Sequence, residues 1–205
     1  MSTKERKAKE KEELKSLILS SAMKLFIEKG VEQTTIRNIA DAIDYSVGTV
    51  YVYFKDKNAI LNDLHTQGFS QLRSSFSVLY NVADPLERLK AMGRFYLAFA
   101  MENKEMYDLM FSLKAPMEFL DAKDCDEWDE GRETFNGLKV TVMQCIASGH
   151  FKGHTPEPLS FLIWGAVHGM CSLVISQRTR GVQFEKPDTI LEDAYAEFLM
   201  MIDKL

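Results

Sequence analysis

Apolar residues recur every three or four positions along nearly the whole chain, separated by short polar joints, and no alternating apolar–polar run exceeds a few residues. That period predicts an all-α fold of about nine helices. Leu14, Ile18, Ala22, Leu25 and Phe26 form the stripe of a first helix that stops at Gly30, behind a charge-rich lead-in from Lys4 to Lys15. A second helix follows Thr35, with Ile36, Ile39, Ala40 and Ile43 inward, and a short third follows Ser46; both hydroxyls suit the cap position. Asp56 caps a long fourth helix to about Tyr80. Asp84-Pro85 opens a fifth to about Met101, and Asn103 a sixth through about Leu113, where Pro116 interrupts. The acidic run Asp121 to Glu130 reads as a solvated loop passing into a seventh helix that ends near Ser148. Two further helices, about Pro158 to Arg178 and Asp188 to Lys204, complete the pattern.

Two of these helices carry the clearest chemistry. In Thr35 to Lys57, two short helices are separated only by Asp44 and Tyr45, a joint that forces a steep crossing, as in a helix-turn-helix whose second member enters the major groove of DNA. Gly48 and Thr49 are small enough to bring that helix close to the bases, and Thr49 offers a hydroxyl and a methyl. Thr35, Ser46 and Lys57 lie at helix starts within reach of phosphates, with Arg37, Tyr51 and Tyr53 as further donors. Phosphate contacts set register without reading sequence, so Val47, Gly48, Thr49 and Val52 are the expected specificity positions.

Charge modifies this picture. A formal net charge of −5 argues against a nucleic-acid binder until it is divided: residues 1–57 carry +2 and residues 58–205 carry −7. Recognition then depends on placed donors more than on a cationic surface. The three cysteines, Cys125, Cys145 and Cys171, lack paired metal-site spacing and read as reduced thiols, and the charged N-terminus has no apolar core. Both features lead to an expectation of a cytoplasmic protein. Leu159 to Ser176 approaches the length of a membrane span but lacks a basic flank, so a helix buried on most sides within a helical core or dimer interface is expected, with no membrane partner.

Residues 14 to 61 resemble the DNA-binding domain of the TetR family of one-component regulators. The resemblance rests on Ile18, Ala22, Leu25-Phe26, Gly30, Thr34-Thr35, Ile39-Ala40, Ser46, Gly48-Thr49, Tyr51, Phe54 and Lys57. Asp44 stands where the family usually has glycine, a position where Asp tolerates left-handed backbone. The resemblance implies a DNA-binding domain over 1–57 and a helical effector-binding and dimerisation domain over 58–205. It further implies a homodimer on a palindromic site in double-stranded DNA, a small-molecule effector, no enzyme activity and no cofactor.

The second half is less specific. Trp164, His168 and Gly169, in IWGAVHG, are similar to a Trp-His-Gly C-terminal domain found in one branch of that family. Phe95, Phe99, Met106, Met110, Met143, Trp164 and His168 are the expected effector-binding residues, in an adaptable apolar interior. By family analogy the last two helices pair with their copies, with Trp164, Cys171, Leu173, Leu191, Ala194, Phe198 and Met201 at the dimer face. Two alternatives stay open: an architectural DNA-binding protein without a ligand, and a metal-dependent hydrolase using His150 and His154. Gly149, Gly153 and Pro156 make a helix there improbable, so a loop of solvated histidines and no metal is the expected arrangement.

Overall fold

The computed structural model describes residues 2–111 and 129–205. Pro116, Cys125, the expected end of the sixth helix near Leu113 and nearly all of the acidic run lie outside the described residues. Among the described residues the chain forms nine α-helices, two short 3₁₀ turns and no strand. The helices are α1 (Thr3–Lys29), α2 (Ile36–Ala42), α3 (Val47–Tyr53), α4 (Lys57–Ser77), α5 (Pro85–Glu102), α6 (Lys104–Phe111), α7 (Asp129–Ala147), α8 (Pro156–Ile175) and α9 (Ile190–Ile202). The chain is all-α, as its periodicity dictates. It divides into two compact units, and the division falls within α4, after Gly68.

The first unit holds α1 to α3, the start of α4 and α6. Its core is Ile18, Ala22 and Phe26 of α1, Ile39 and Ala40 of α2, Val50 of α3, Ile60, Leu61 and Leu64 of α4, and Leu109 of α6. The unit therefore extends beyond Lys57: four of these core side chains come from later in the sequence. The lead-in before Leu14 is helical, continuous with α1. Ser2 and Glu5 form a reciprocal capping box, and Arg6–Glu10 and Lys9–Glu13 ion pairs brace the turns that follow.

Two buried polar groups of this unit are tied to backbone carbonyls or amides of other segments. Thr34, 1% exposed, donates its hydroxyl to the carbonyls of Leu25 and Gly30 and so closes the end of α1. His65, 3% exposed on α4, is held to the backbone of Met110 on α6. Beside it the backbones approach closely, since a Cβ on Gly68 would lie 2.5 Å from the sulfur of Met110. The 3.6-residue pattern showed none of this, because a histidine on an inward face reads the same whether it is core or solvated edge.

The second unit is a bundle in which α5, α7, α8 and α9 pack on one another. Leu86, Leu89, Val142, Cys145, Leu159, Ile163 and Ile202 form its core, with Phe151 inserted from the α7–α8 loop. Lys90 ties α5 to α9 through an ion pair with Asp203 at 2.5 Å, and Tyr195 donates its hydroxyl to the Lys90 carbonyl at 2.6 Å. Gly93 leaves room for that phenol: a Cβ there would collide with the Tyr195 hydroxyl oxygen. Helix α8 is long and apolar enough to cross a membrane by length and composition, but only 28% of its most apolar window is buried. The expected burial on most sides is thus not met within one chain. Leu159, Ile163, Val167 and Cys171 form a single inward line, while Phe161, Leu162 and Leu173 face out.

Burial lowers the His65 pKa from 6.5 to about 4. Above pH 6.5 neither folded nor unfolded chain holds the proton; between 6.5 and about 4 only the unfolded chain binds it; below 4 both do. Stability should therefore fall as pH drops through that window, by roughly 2–3 kcal/mol from His65 between pH 7 and 4.5. Burial also lowers His168, which adds to the same slope. Urea titrations at both pH values check this, and His65→Gln should flatten the wild-type difference by that amount. Gly93→Ala should destabilise the second unit by about 1–3 kcal/mol, because overpacking against Tyr195 outweighs the ~1 kcal/mol helical advantage of alanine. Adding Tyr195→Phe should recover part of the loss in the same titration.

Candidate nucleic-acid interface

Capping and burial, more than propensity, position α2 and α3. Thr35 accepts the amide of Asn38 at 3.1 Å while the Asn38 side chain accepts the Thr35 amide at 3.0 Å, a reciprocal start for α2. At the other end, the Tyr45 amide donates to Ala40 and the Asp44 amide to Asp41, a closure that requires left-handed backbone at Asp44, where φ is 57°. Asp is among the few side chains that enter this region at modest cost. Ser46 then accepts the Thr49 amide at 3.1 Å, and its hydroxyl lies 2.8 Å from that of Thr49.

Helix α3 is fixed by one deep contact. Val50 is fully buried, Val47 and Tyr53 rest against the same core, and Phe54 closes the helix behind them. The opposite face is open: Tyr45 is 46% exposed, Tyr51 53% and Val52 75%. Gly48 is exposed too, and a Cβ there would meet only the Ser46 hydroxyl oxygen, at 3.7 Å. Nothing inside the protein requires a glycine at 48, which distinguishes it from Gly68 and Gly93. Large apolar side chains on an open face beside a side chain of minimal size describe a surface shaped for close approach by another molecule.

The structure brings Gly48, Tyr51 and Val52 to one open face, with Thr49 half-buried at its side, and leaves Arg37 exposed on α2. Three other candidates are partly occupied. Val47 and Tyr53 pack against the head core. Lys57 points back to the carbonyls of Val31 and Glu32, at 2.5 and 3.4 Å, so its cation holds the α1–α2 turn, because the end of α1 leaves acceptors nearby. Sequence spacing alone did not separate that duty from phosphate contact.

In the second unit, the Trp164 indole donates to the Tyr96 hydroxyl at 3.4 Å, and that hydroxyl lies 3.1 Å from Nδ1 of His168. Phe135 and Phe161 pack edge-on to Trp164. Tyr96 and Phe135 were missed in the sequence; a Trp and a His one helical turn apart, facing a buried tyrosine, were the available signal. Of the other expected effector residues, Phe99 is buried, while Phe95 and Met143 are 38% and 50% exposed. Met106 and Met110 belong to the first unit, where they pack around Gly68.

The expected dimer face also needs correction. Cys171 is fully buried and Leu191 is 7% exposed, and Phe198 packs on the bundle core; all three spend their side chains inside their own chain. Ala194 is half-buried. Leu173 and Met201 are open, joined by Phe161, Leu162 and Met200, which the sequence reading did not select. His150 and His154 lie in the α7–α8 loop, where Gly149, Phe151 and Gly153 all have positive φ, so the pair shares no helical face. Among the described residues no group of three His, Cys, Asp or Glu side chains is placed to hold a metal.

Comparison with known proteins agrees with this geometry. The model of bacterial regulatory proteins of the tetR family matches residues 18–64, and that of the tetracyclin repressor-like C-terminal domain matches residues 89–198, more than half the chain. The uncharacterized HTH-type transcriptional regulator YuxN of Bacillus subtilis is 43% identical over 53 residues, covering 26% of this chain and 17% of YuxN. The HTH-type transcriptional repressor KstR2 of Mycobacterium tuberculosis is 30% identical over 76 residues, 37% of this chain and 38% of KstR2. The chain thus spans less than half the length of these curated relatives. A putative TetR-family regulator from Syntrophomonas wolfei has the same fold, with a TM-score of 0.74 at 22% identity over 95% of this chain and 97% of that one. The chain belongs to the TetR family of bacterial helix-turn-helix transcriptional regulators, a family of DNA-binding proteins and not of enzymes.

Proposed function

We propose that the protein is a cytoplasmic transcriptional repressor that binds a palindromic operator as a homodimer and releases it when a small apolar or amphipathic effector binds. The observation that carries this reading is the open face of α3, where Gly48, Tyr51 and Val52 have almost no packing duty on the protein side and Thr49 lies half-buried beside them. Residues 1–57 would read DNA, with Thr35 and Ser46 adding phosphate contacts to their capping role. Residues 58–205 would sense the effector and dimerise. No cofactor is required.

Dimerisation is supported by the outward line of α8. Phe161, Leu162 and Leu173, with Met200 and Met201 of α9, leave an apolar surface on one unit that a second copy would cover. The effector would contact the second unit, with Tyr96, Trp164 and His168 as polar anchors amid aromatic surroundings. Release follows if the effector binds better to the arrangement of heads that does not fit the operator. Buried, high-pKa thiols at Cys145 and Cys171 suit a reducing compartment.

An operator selected from random duplex DNA by the full-length protein tests the reading. Gly48→Ala should raise folding stability by about 0.5–1 kcal/mol, since alanine favours a helix and meets no clash, yet weaken operator binding tenfold or more. Unchanged affinity would remove α3 from the groove. Leu162→Arg should convert the dimer to monomer in sedimentation and abolish operator binding without unfolding the chain. A wild-type protein that sediments as a monomer at micromolar concentration would end the dimer model. Loss of the operator complex on adding a member of a broad apolar library separates a ligand-responsive repressor from an architectural DNA-binding protein.

A further inference from the structure

Only the second half of α1, from Leu14 onward, touches the core of the head; residues 2–13 are exposed on every side. At 100° per residue, Lys4, Lys7, Lys11 and Lys15 fall within an arc of about 80°, in line with the buried Ile18 and Ala22. The ion pairs Arg6–Glu10 and Lys9–Glu13 lie on the other side of the helix. Among the described residues, Lys4, Lys7 and Lys11 form no ion pair. Like charges three and four residues apart repel, so this face works against the helix that carries it, whereas the opposite face alternates its signs.

The stripe has a defined starting point. Nζ of Lys15 lies 2.6 Å from Asp63 and 5.8 Å above the ring of Phe54, the residue that closes recognition helix α3. From there to Lys4 the helix rises roughly 16 Å, more than the roughly 12 Å width of a major groove. Among residues 2–13 Ala8 is the only apolar residue, so these turns lack the apolar stripe that buries a helix in a membrane surface. A one-sided line of ammonium groups at helical spacing complements a row of phosphates.

We propose that the N-terminal turns of α1 are a phosphate clamp, in which Lys4, Lys7 and Lys11 grip the DNA backbone bordering the half-site that α3 enters. This rests on the reading of α3 as the DNA-contacting helix. The clamp supplies sequence-independent affinity to a head whose net charge is only +2.

The test compares two charge-matched double variants of the full chain, Lys7→Gln/Lys11→Gln on the stripe and Arg6→Gln/Lys9→Gln opposite it, on the selected operator between 50 and 200 mM salt. The stripe variant should bind about tenfold more weakly at 100 mM. Its log–log salt dependence should be shallower by roughly 3 to 4 per dimer, at about 0.9 for each phosphate that the lysines no longer neutralise. The opposite pair should stay within about twofold, with helicity by circular dichroism the same in both. Equal slopes in wild type and stripe variant, or equal losses in the two variants, would overturn the clamp. So would lysine-dependent binding to phosphatidylserine vesicles with an unaltered DNA slope. A wild-type chain that selects no duplex overturns both readings; one impaired by Gly48→Ala but not by Lys7→Gln/Lys11→Gln overturns this one alone.

Discussion

A helix of seven residues cannot hold itself together in water, because nucleation costs more than so few hydrogen bonds return. Both α2 and α3 are that short. Their existence depends on being closed at the ends and anchored from the side, and the anchor of α3 is Val50, fully buried among residues from α1, α2 and α4. Fixing that valine inward turns Gly48, Tyr51 and Val52 outward. The chemistry of the surface thus follows from one packing contact, with Ser46 and the left-handed Asp44 setting where the helix begins.

The same economy explains why polar residues in the head serve the protein before they serve a ligand. Thr34 and Lys57 both satisfy carbonyls exposed where α1 ends, one by hydroxyl and one by ammonium. His65 fastens α4 to the backbone of α6 and stays neutral because burial disfavours its charge. Such groups keep the frame rigid under the exposed face. Donors with no backbone group to cap stay exposed, and in α1 they are the lysines beyond the core.

In the second unit the balance reverses, and aromatic and polar groups meet. Tyr96 accepts from an indole and faces an imidazole, a small network within the bundle. A half-buried network of this kind is costly unless its groups find partners. On the outside of the same bundle, α8 keeps Phe161, Leu162 and Leu173 in the open. One helix therefore contributes an inward line to its own core and leaves an outward apolar line exposed.

Periodicity and capping chemistry determined the helices and their order, since Thr35, Ser46, Asp56 and Asp84-Pro85 act on amides within a turn of themselves and need no tertiary context. The residues of the head core were legible for the same reason, as was the loop nature of the His150–His154 segment. Which polar residues are free was not legible. Lys57 and Thr34 spend their donors on carbonyls that only the folded turn brings near, and Met106 and Met110 pack around Gly68 through contacts far apart in sequence. Nor could an apolar helix announce which of its lines faces its own core: Cys171 and Leu173 are two residues apart, yet one is sealed and the other open. Local hydrogen bonding is written in neighbouring residues, whereas burial is a property of what the rest of the chain places alongside, and only the tertiary structure decided it.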